Sequence, residues 1–253
     1  MFLLGSLIYS FAVSVKMSML LAAPGIAFIL LQKLPRRKIF DTGVIMLQLQ
    51  VFLAIPFLKA NPGSYLKKAF ELTRQFLFKW TVNWKFLGPE VFLSQSFALG
   101  LLGTNAVLLS IFAFTRWTKP TGLSPRRLMM TLFRPLPSDV QARLSRSVSE
   151  DAIMTTILAS LAIGLLCART LHYQFFAYIA WASPFLLWKA RLPVPIVCAI
   201  WAIQEVAWNI YPATAASSLT VVGCLIVQVA GVWFGTQSEY RDAEVPKDDQ
   251  HED

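Results

Sequence analysis

Charge is scarce in this chain: Asp, Glu, Lys and Arg make up 15% of its 253 residues, against about 25% in ordinary soluble domains. Hydrophobic residues fill 56% of it and the mean hydropathy is +0.55, so water is not its main solvent. Cysteine and histidine are scarcer still. The three cysteines (Cys167, Cys198, Cys224) lie in or beside apolar stretches and the only histidines are His172 and His251, which argues against a disulfide framework or a structural zinc site. Clustered carboxylates of the kind that hold a divalent cation are also missing, so neither a metal nor another cofactor is expected. The net charge of +9 comes without any basic, Gly-rich or zinc-binding reader of nucleic acid, and its cations sit in loops between apolar runs. The expected partners are membrane lipids and phosphate-bearing lipid substrates, and not nucleic acid. The opening MFLLGSLIYSFAVSVKM has an early apolar run but no basic flank, and a second apolar stretch follows at once. It is expected as uncleaved membrane helix rather than a secretory signal.

What is present is a series of long apolar blocks. Crossing about 30 Å of hydrocarbon takes roughly 20 apolar residues. Residues 1–31 exceed one ordinary span and are interrupted by Lys16 and by Pro24-Gly25, which predicts two short helices meeting near Lys16. Further segments are expected at 42–58, 91–115, 152–168, 175–188, 194–211 and 215–235, the aromatic 175–188 stretch being kinked or partly interfacial because it is short and contains Pro184. The fold class this predicts is an all-α, polytopic membrane helix bundle of about eight hydrophobic segments. Residues 1–237 form the membrane domain and 238–253 an acidic, disordered tail.

Lys and Arg in short loops prefer the cytoplasm. Lys33, Arg36, Arg37 and Lys38 therefore place the first basic loop there, and Arg116, Lys119, Arg126, Arg127, Arg134, Arg143 and Arg146 place residues 116–150 there. Two crossings separate these loops, so 59–90 faces the lumen. The same parity puts 169–174 and the turn at 209–214 on the lumenal side and the tail in the cytosol. Residues 59–90 are themselves basic, with Lys59, Lys67, Lys68, Arg74, Lys79 and Lys85, against the simple rule. A binding role would account for the exception.

Two segments carry candidate chemistry. In residues 69–92, read as an amphipathic interfacial helix, Phe70, Phe76, Leu77, Trp80 and Trp84 alternate with Arg74, Lys79, Asn83 and Lys85. That pattern suits either a membrane-surface anchor or a pocket in which Arg74 or Lys79 pairs a lipid phosphate and the tryptophans flank sugar or lipid. Arg169, His172, Tyr173 and Gln174 cluster at a helix end, either as an aromatic-belt boundary with a snorkelling Arg or as a grip on phosphate and sugar hydroxyls. Lys16 and Glu205 lie in apolar sequence. Such groups face a cavity or a partner, although Lys16 can also snorkel and Glu205, with Gln204 and Asn209, can serve a helix contact. GVWFG at 231–235 fits close helix packing and is given no function.

Three strings, SVKMSMLLAAPG at 14–25, FELTRQFLFKWTVNWKFLGPEVFLS at 70–94 and ARTLHYQFFAYIAWASPFLLW at 168–188, resemble the dolichyl-phosphate-mannose-dependent alpha-1,3-mannosyltransferases of the N-glycan precursor pathway. The likeness runs over nearly the whole chain apart from the cytoplasmic loop and the tail. It implies a C-type glycosyltransferase fold in the endoplasmic reticulum membrane with a lumenal active site. It also implies inverting transfer of mannose from dolichyl-phosphate mannose to a five-mannose dolichyl-pyrophosphate oligosaccharide, without a metal. Arg74, Lys79, Trp80, Asn83, Trp84, Arg169, His172, Tyr173 and Gln174 are then the expected substrate contacts. The family's catalytic base belongs to an earlier lumenal loop that this sequence does not contain, and Glu71, Glu90 and Glu205 do not match it. The chain is accordingly expected to be an N-terminally shortened form in which the catalytic residue is unknown. The alternatives are a non-catalytic membrane subunit and a transporter of lipid-linked sugars, the latter disfavoured by the lack of clear repeats or of a polar path along the spans.

Overall fold

The computed structural model describes residues 2–69 and 77–237. Regular structure among the described residues is entirely helical. The long first block divides at Lys16: α1 (Phe2–Val15) ends there, the chain turns extended at φ −152° and ψ 116°, and a tight turn (Met17–Ala22) leads into α2 (Ala23–Lys33), whose first turn holds Pro24. Next come α3 (Arg36–Ala60), α4 (Pro62–Ala69), α5 (Gly88–Leu93) and α6 (Gln95–Phe112), the last continuing into one wider turn, Ala113–Trp117. Within the basic 116–150 stretch lie two short helices, α7 (Pro125–Met130) and α8 (Ser138–Ser147). The chain then builds α9 (Glu150–Cys167), α10 (Phe176–Lys189), α11 (Val194–Asn209) and α12 (Ala215–Gly235).

Local chemistry fixes the helix starts. Ser94, Ser124 and Ser149 each accept a hydrogen bond from a backbone N–H of the first turn of α6, α7 and α9, and Thr214 with Ser217 forms a reciprocal cap on α12. Glu150 and Asp151 add negative charge where the α9 dipole is positive. Among the described residues, the helices over 36–60, 95–121, 150–167 and 215–235 are long and apolar enough to cross a membrane. The 18 residues of α9 rise about 27 Å. The apolar helices over 2–15, 17–33 and 194–209 are shorter.

The helix α9 is the central post. Two thirds of its apolar window is buried within the protein, against 6% for α3. Around it pack α2, α6, α10 and α12, the last two contributing Ile179, Leu186, Val221, Leu225 and Val229 to the core, while α11 packs on α10 and α12 and adds Ala207 and Trp208. The exposed faces of α1, α3, α6 and α11 are leucine, valine and phenylalanine, as lipid-facing helices require. Inside this apolar core α10, α11 and α12 are tied by a closed ring of hydrogen bonds. Ser183 donates to Gln228 (2.9 Å), Gln228 to Gln204 and Gln204 back to Ser183 (2.7 Å). Gln204 thus serves helix packing, while Glu205, on the neighbouring face, accepts from the Asn209 amide at 3.1 Å.

Loops gather at two ends. At one, Gln32 donates to the Trp117 carbonyl, Lys33 to that of Ser145, Arg116 to that of Trp233 (2.7 Å), and Lys189 pairs with Asp151. There α7 and α8 bury Leu128 and Leu144 against Leu31 of α2. At the other end lie Lys16, residues 77–88, 168–175 and 209–214.

Close backbone approach explains the paired glycines of α12. A Cβ on Gly231 would stand 2.6 Å from the Ala190 Cβ, and one on Gly235 would stand 2.0 Å from the Lys189 carbonyl oxygen. Small residues let helices meet this closely in lipid. Gly235→Ala is expected to cost about 1–3 kcal/mol, typical of overpacking. Gly223→Ala on the same helix, where an added Cβ meets nothing within 4 Å, should leave stability unchanged or slightly raised. Thermal unfolding of the solubilised chain measures both, and equal midpoints for the two variants would contradict this account.

Candidate functional site

The two segments singled out in the sequence meet. Asn83, fully buried, donates its side-chain amide to the Ala168 carbonyl (2.7 Å), and its Oδ1 accepts from the Leu171 N–H (2.8 Å) and from the Thr81 hydroxyl (2.9 Å). The Val82 N–H donates to the Leu171 carbonyl (2.8 Å), and the Trp84 indole N–H also reaches the Ala168 carbonyl (3.1 Å). The Lys85 N–H donates to the Ser218 hydroxyl (2.7 Å), anchoring the joint on α12.

This arrangement corrects the expected amphipathic helix over 69–92. Residues 78–80 and 85–87 are isolated tight turns, and helix resumes only at Gly88. Thr81, Val82 and Asn83 point inward, Trp84 takes a left-handed backbone (φ 57°) and Gly88 a positive φ of 77° just before Pro89. A helix can hold neither positive-φ backbone. The backbone N–H of Val82, which a helix would spend on its own preceding turn, is taken by a loop 89 residues away in sequence.

The remaining expected contacts surround the joint. Lys79 lies exposed with its Nζ 5.0 Å from the Trp80 ring centre. Trp80 stacks on Tyr211 (6.4 Å, 17°), and its carbonyl lies 3.2 Å from His172 Nδ1, which acts as donor in the matching tautomer. Trp84 is half-buried and meets Phe97 edge to face (5.6 Å, 78°). The Tyr173 hydroxyl donates to the Ile210 carbonyl (2.9 Å), and its ring packs on Tyr211 (5.6 Å, 63°). Burial raises the Tyr173 phenol above its ordinary range, with a backbone hydrogen bond at Ala213 drawing it down and Tyr211 pushing it up, so at neutral pH it remains a donor. Arg169 is half-buried in the same loop and Gln174 is exposed. Arg74 lies outside the described residues.

Two members of the cluster were not among the expected substrate contacts. Tyr211 was passed over as part of a short turn, although an aromatic beside Pro212 at a span end marks an interfacial contact. Lys16, weighed chiefly as a snorkelling side chain, places its Nζ 4.5 Å from the Phe175 ring centre and 5.4 Å from that of Tyr178. Among the described residues, two glutamates of neighbouring elements have other surroundings. Glu90 lines the outer groove of α6 with Ser94 and Phe97, and Glu205 holds Asn209. Among the described residues no group of three or more His, Cys, Asp or Glu is placed to hold a metal ion.

The family described as "ALG3 protein" matches residues 1–218. The chain belongs to the ALG3 protein family. It is 46% identical over 93% of its length to the "Dol-P-Man:Man(5)GlcNAc(2)-PP-Dol alpha-1,3-mannosyltransferase" of Neurospora crassa. The proteins of the same name from Homo sapiens and Arabidopsis thaliana are 38% and 34% identical, each over 98% of the chain. These alignments cover 54%, 54% and 58% of the relatives, so the chain spans about half the length of the curated ALG3 relatives it matches. No solved structure matches.

The joint generates its own test. Asn83→Ala leaves the Leu171 N–H without its acceptor, and a buried donor without a partner costs about 1–3 kcal/mol. Amides of Val82 and Leu171 should then exchange with deuterium roughly tenfold faster or more, a factor of ten being about 1.4 kcal/mol. Unchanged exchange at both would show that the two loops hold together without Asn83.

Proposed function

We propose that this chain serves a dolichyl-phosphate-mannose-dependent alpha-1,3-mannosyltransferase that builds the N-glycan precursor, and that its loop joint forms the end at which donor and acceptor lipids are held. The acceptor would be the five-mannose dolichyl-pyrophosphate oligosaccharide, and the place of action the lumenal face of the endoplasmic reticulum membrane. The reading rests on the names of the ALG3 relatives and on one structural observation: Asn83 joins two loops that carry cations and aromatic rings, and Tyr211 of a third loop packs on their Trp80 and Tyr173.

The chemistry fits that arrangement. Transfer breaks the bond between the anomeric carbon and the phosphate oxygen of the donor, and the leaving dolichyl phosphate gains negative charge as it departs. Fixed cations beside the phosphate therefore gain strength in the transition state. Arg169 offers a planar guanidinium for bidentate contact, while Lys79 and His172 supply a point charge and a donor. Trp80 and Tyr211 present a stacked pair of faces suited to sugar or isoprenoid. Asn83 and Trp84 act by position, since their polar atoms are engaged by backbone. An inverting transfer also needs a carboxylate to take the acceptor's proton. Glu90 and Glu205 are committed elsewhere, and the proposal assigns that role to no described residue. No cofactor is invoked.

The test is mannose transfer from labelled dolichyl-phosphate mannose in membranes containing the chain, alone and together with the remaining part of the Neurospora crassa relative. A six-mannose product with a new alpha-1,3 linkage is expected in at least one arrangement, and no product in either would refute the proposal. Arg169→Ala should raise the donor KM about tenfold or more, the worth of one charge-assisted contact, with a smaller change in acceptor KM. An unaltered donor KM would remove Arg169 from the site.

A further inference from the structure

Lys16 is poorly explained by packing alone. It stands where α1 breaks, in an extended conformation that no proline imposes, Pro24 lying eight positions further on. The Lys16 N–H closes the last turn of α1 on the Ala12 carbonyl (2.9 Å), and its own carbonyl accepts from the Met19 N–H (3.1 Å), so its backbone is satisfied and only the side chain is left to account for. Because the backbone is extended there, the side chain leaves on the face opposite those of Val15 and Met17. Those two line an apolar groove against α3, whereas the Lys16 ammonium lies half-buried over Phe175 and Tyr178. A snorkelling lysine would follow the lipid surface out to water. This one is turned into the protein, toward the loop that carries Arg169 and His172.

The loop is built to receive it. Phe175 closes a tight turn through its N–H to the His172 carbonyl (2.9 Å), and His172 in turn meets the Trp80 carbonyl. Tyr178 is held by the Ser18 hydroxyl at 3.3 Å, two residues beyond Lys16. The side chains at this junction are thus fixed from both sides. Among the described residues Lys16 makes no ion pair; the pairs seen there, Lys189 with Asp151 and Arg143 with Asp139, belong to the opposite end of the bundle. A cation partly withdrawn from water and faced only by rings is incompletely compensated, and an anion is what would complete it.

We infer that Lys16 binds the phosphate of a polyisoprenyl-phosphate sugar donor, reaching the 168–175 loop from the break between α1 and α2. This rests on the reading of that end as the donor site. It adds to that reading a third direction of contact: Lys16 comes from the first turn-break of the chain, Lys79 from the 77–88 loop and Arg169 from the 168–175 loop.

Binding of dolichyl phosphate to the purified full chain in detergent tests it, since it needs neither acceptor nor sugar transfer. Lys16→Met keeps the apolar stem against Phe175 and removes the charge, whereas Lys16→Arg restores the charge. Lys16→Met should weaken dolichyl phosphate binding about tenfold, as the loss of one charge-assisted contact does. Affinity for dolichol, which lacks the phosphate, should not change, and Lys16→Arg should bind within about threefold of the parent chain. Equal affinity of Lys16→Met and the parent for dolichyl phosphate would overturn the inference, as would an equal loss for dolichol. Competition by phosphatidic acid or inorganic phosphate at matching concentration would overturn the assignment to an isoprenoid phosphate. If Lys16→Met loses affinity while no mannose transfer is ever found, the phosphate site stands and the transferase reading falls. If transfer proceeds with the donor KM unaltered in Lys16→Met, the reverse holds.

Discussion

The Asn83 amide is the constraint on which the rest of this end of the molecule depends. Loops between membrane spans gain little from the hydrophobic effect, because lipid is as apolar as the side chains they would bury. Their backbone groups still need partners, and near the hydrocarbon boundary an unpaired N–H or C=O is costly. One buried amide solves this for two loops at once by accepting from Leu171 and Thr81 and donating to Ala168. The Val82–Leu171 and Trp84–Ala168 bonds then extend the seam. The ends of α6, α9 and α12 are brought together as a result, and Lys79, Trp80, Arg169 and His172 are carried on a fixed frame.

Both ends of the bundle set cations against aromatic rings, Arg116 over Trp233 and Lys189 over Trp188 at one of them, but the partners of those cations differ. At the end bearing α7 and α8, Lys33, Arg116 and Lys189 are consumed by carbonyls and by a carboxylate, and the surrounding chain is closed by Leu128 and Leu144. At the end bearing Asn83, Lys16 and Lys79 are set against the rings of Phe175, Tyr178 and Trp80.

Helices were legible in the sequence because their signal is local. The apolar blocks and the break at Lys16 depend on residues a few positions apart. The resemblance was legible too, in the strings around Trp80 and His172. What could not be read was the path of residues 77–87. Their alternation of rings and cations matches a helical period, but the decisive partners, Ala168 and Leu171, lie more than 80 residues away. Periodicity does not register a hydrogen bond made across the fold. The same limit hid Tyr211, whose role appears only when Trp80 and Tyr173 are placed on either side of it.

On the function proposed above, aromatic rather than carboxylate partners for these cations suit a site that releases a phosphate. A carboxylate beside Lys16 or Lys79 would compete with the arriving phosphate. A ring face contributes only about 0.5–2 kcal/mol and does not neutralise the cation. It can orient an ammonium before the donor arrives and remain in contact afterwards. The product of transfer carries more negative charge on phosphate than the donor does, so a site with too much fixed positive charge would stabilise the transition state and then retain its product. Distributing single cations over separate loops, each held weakly by a ring, gives the developing charge several partners while keeping each one easy to leave.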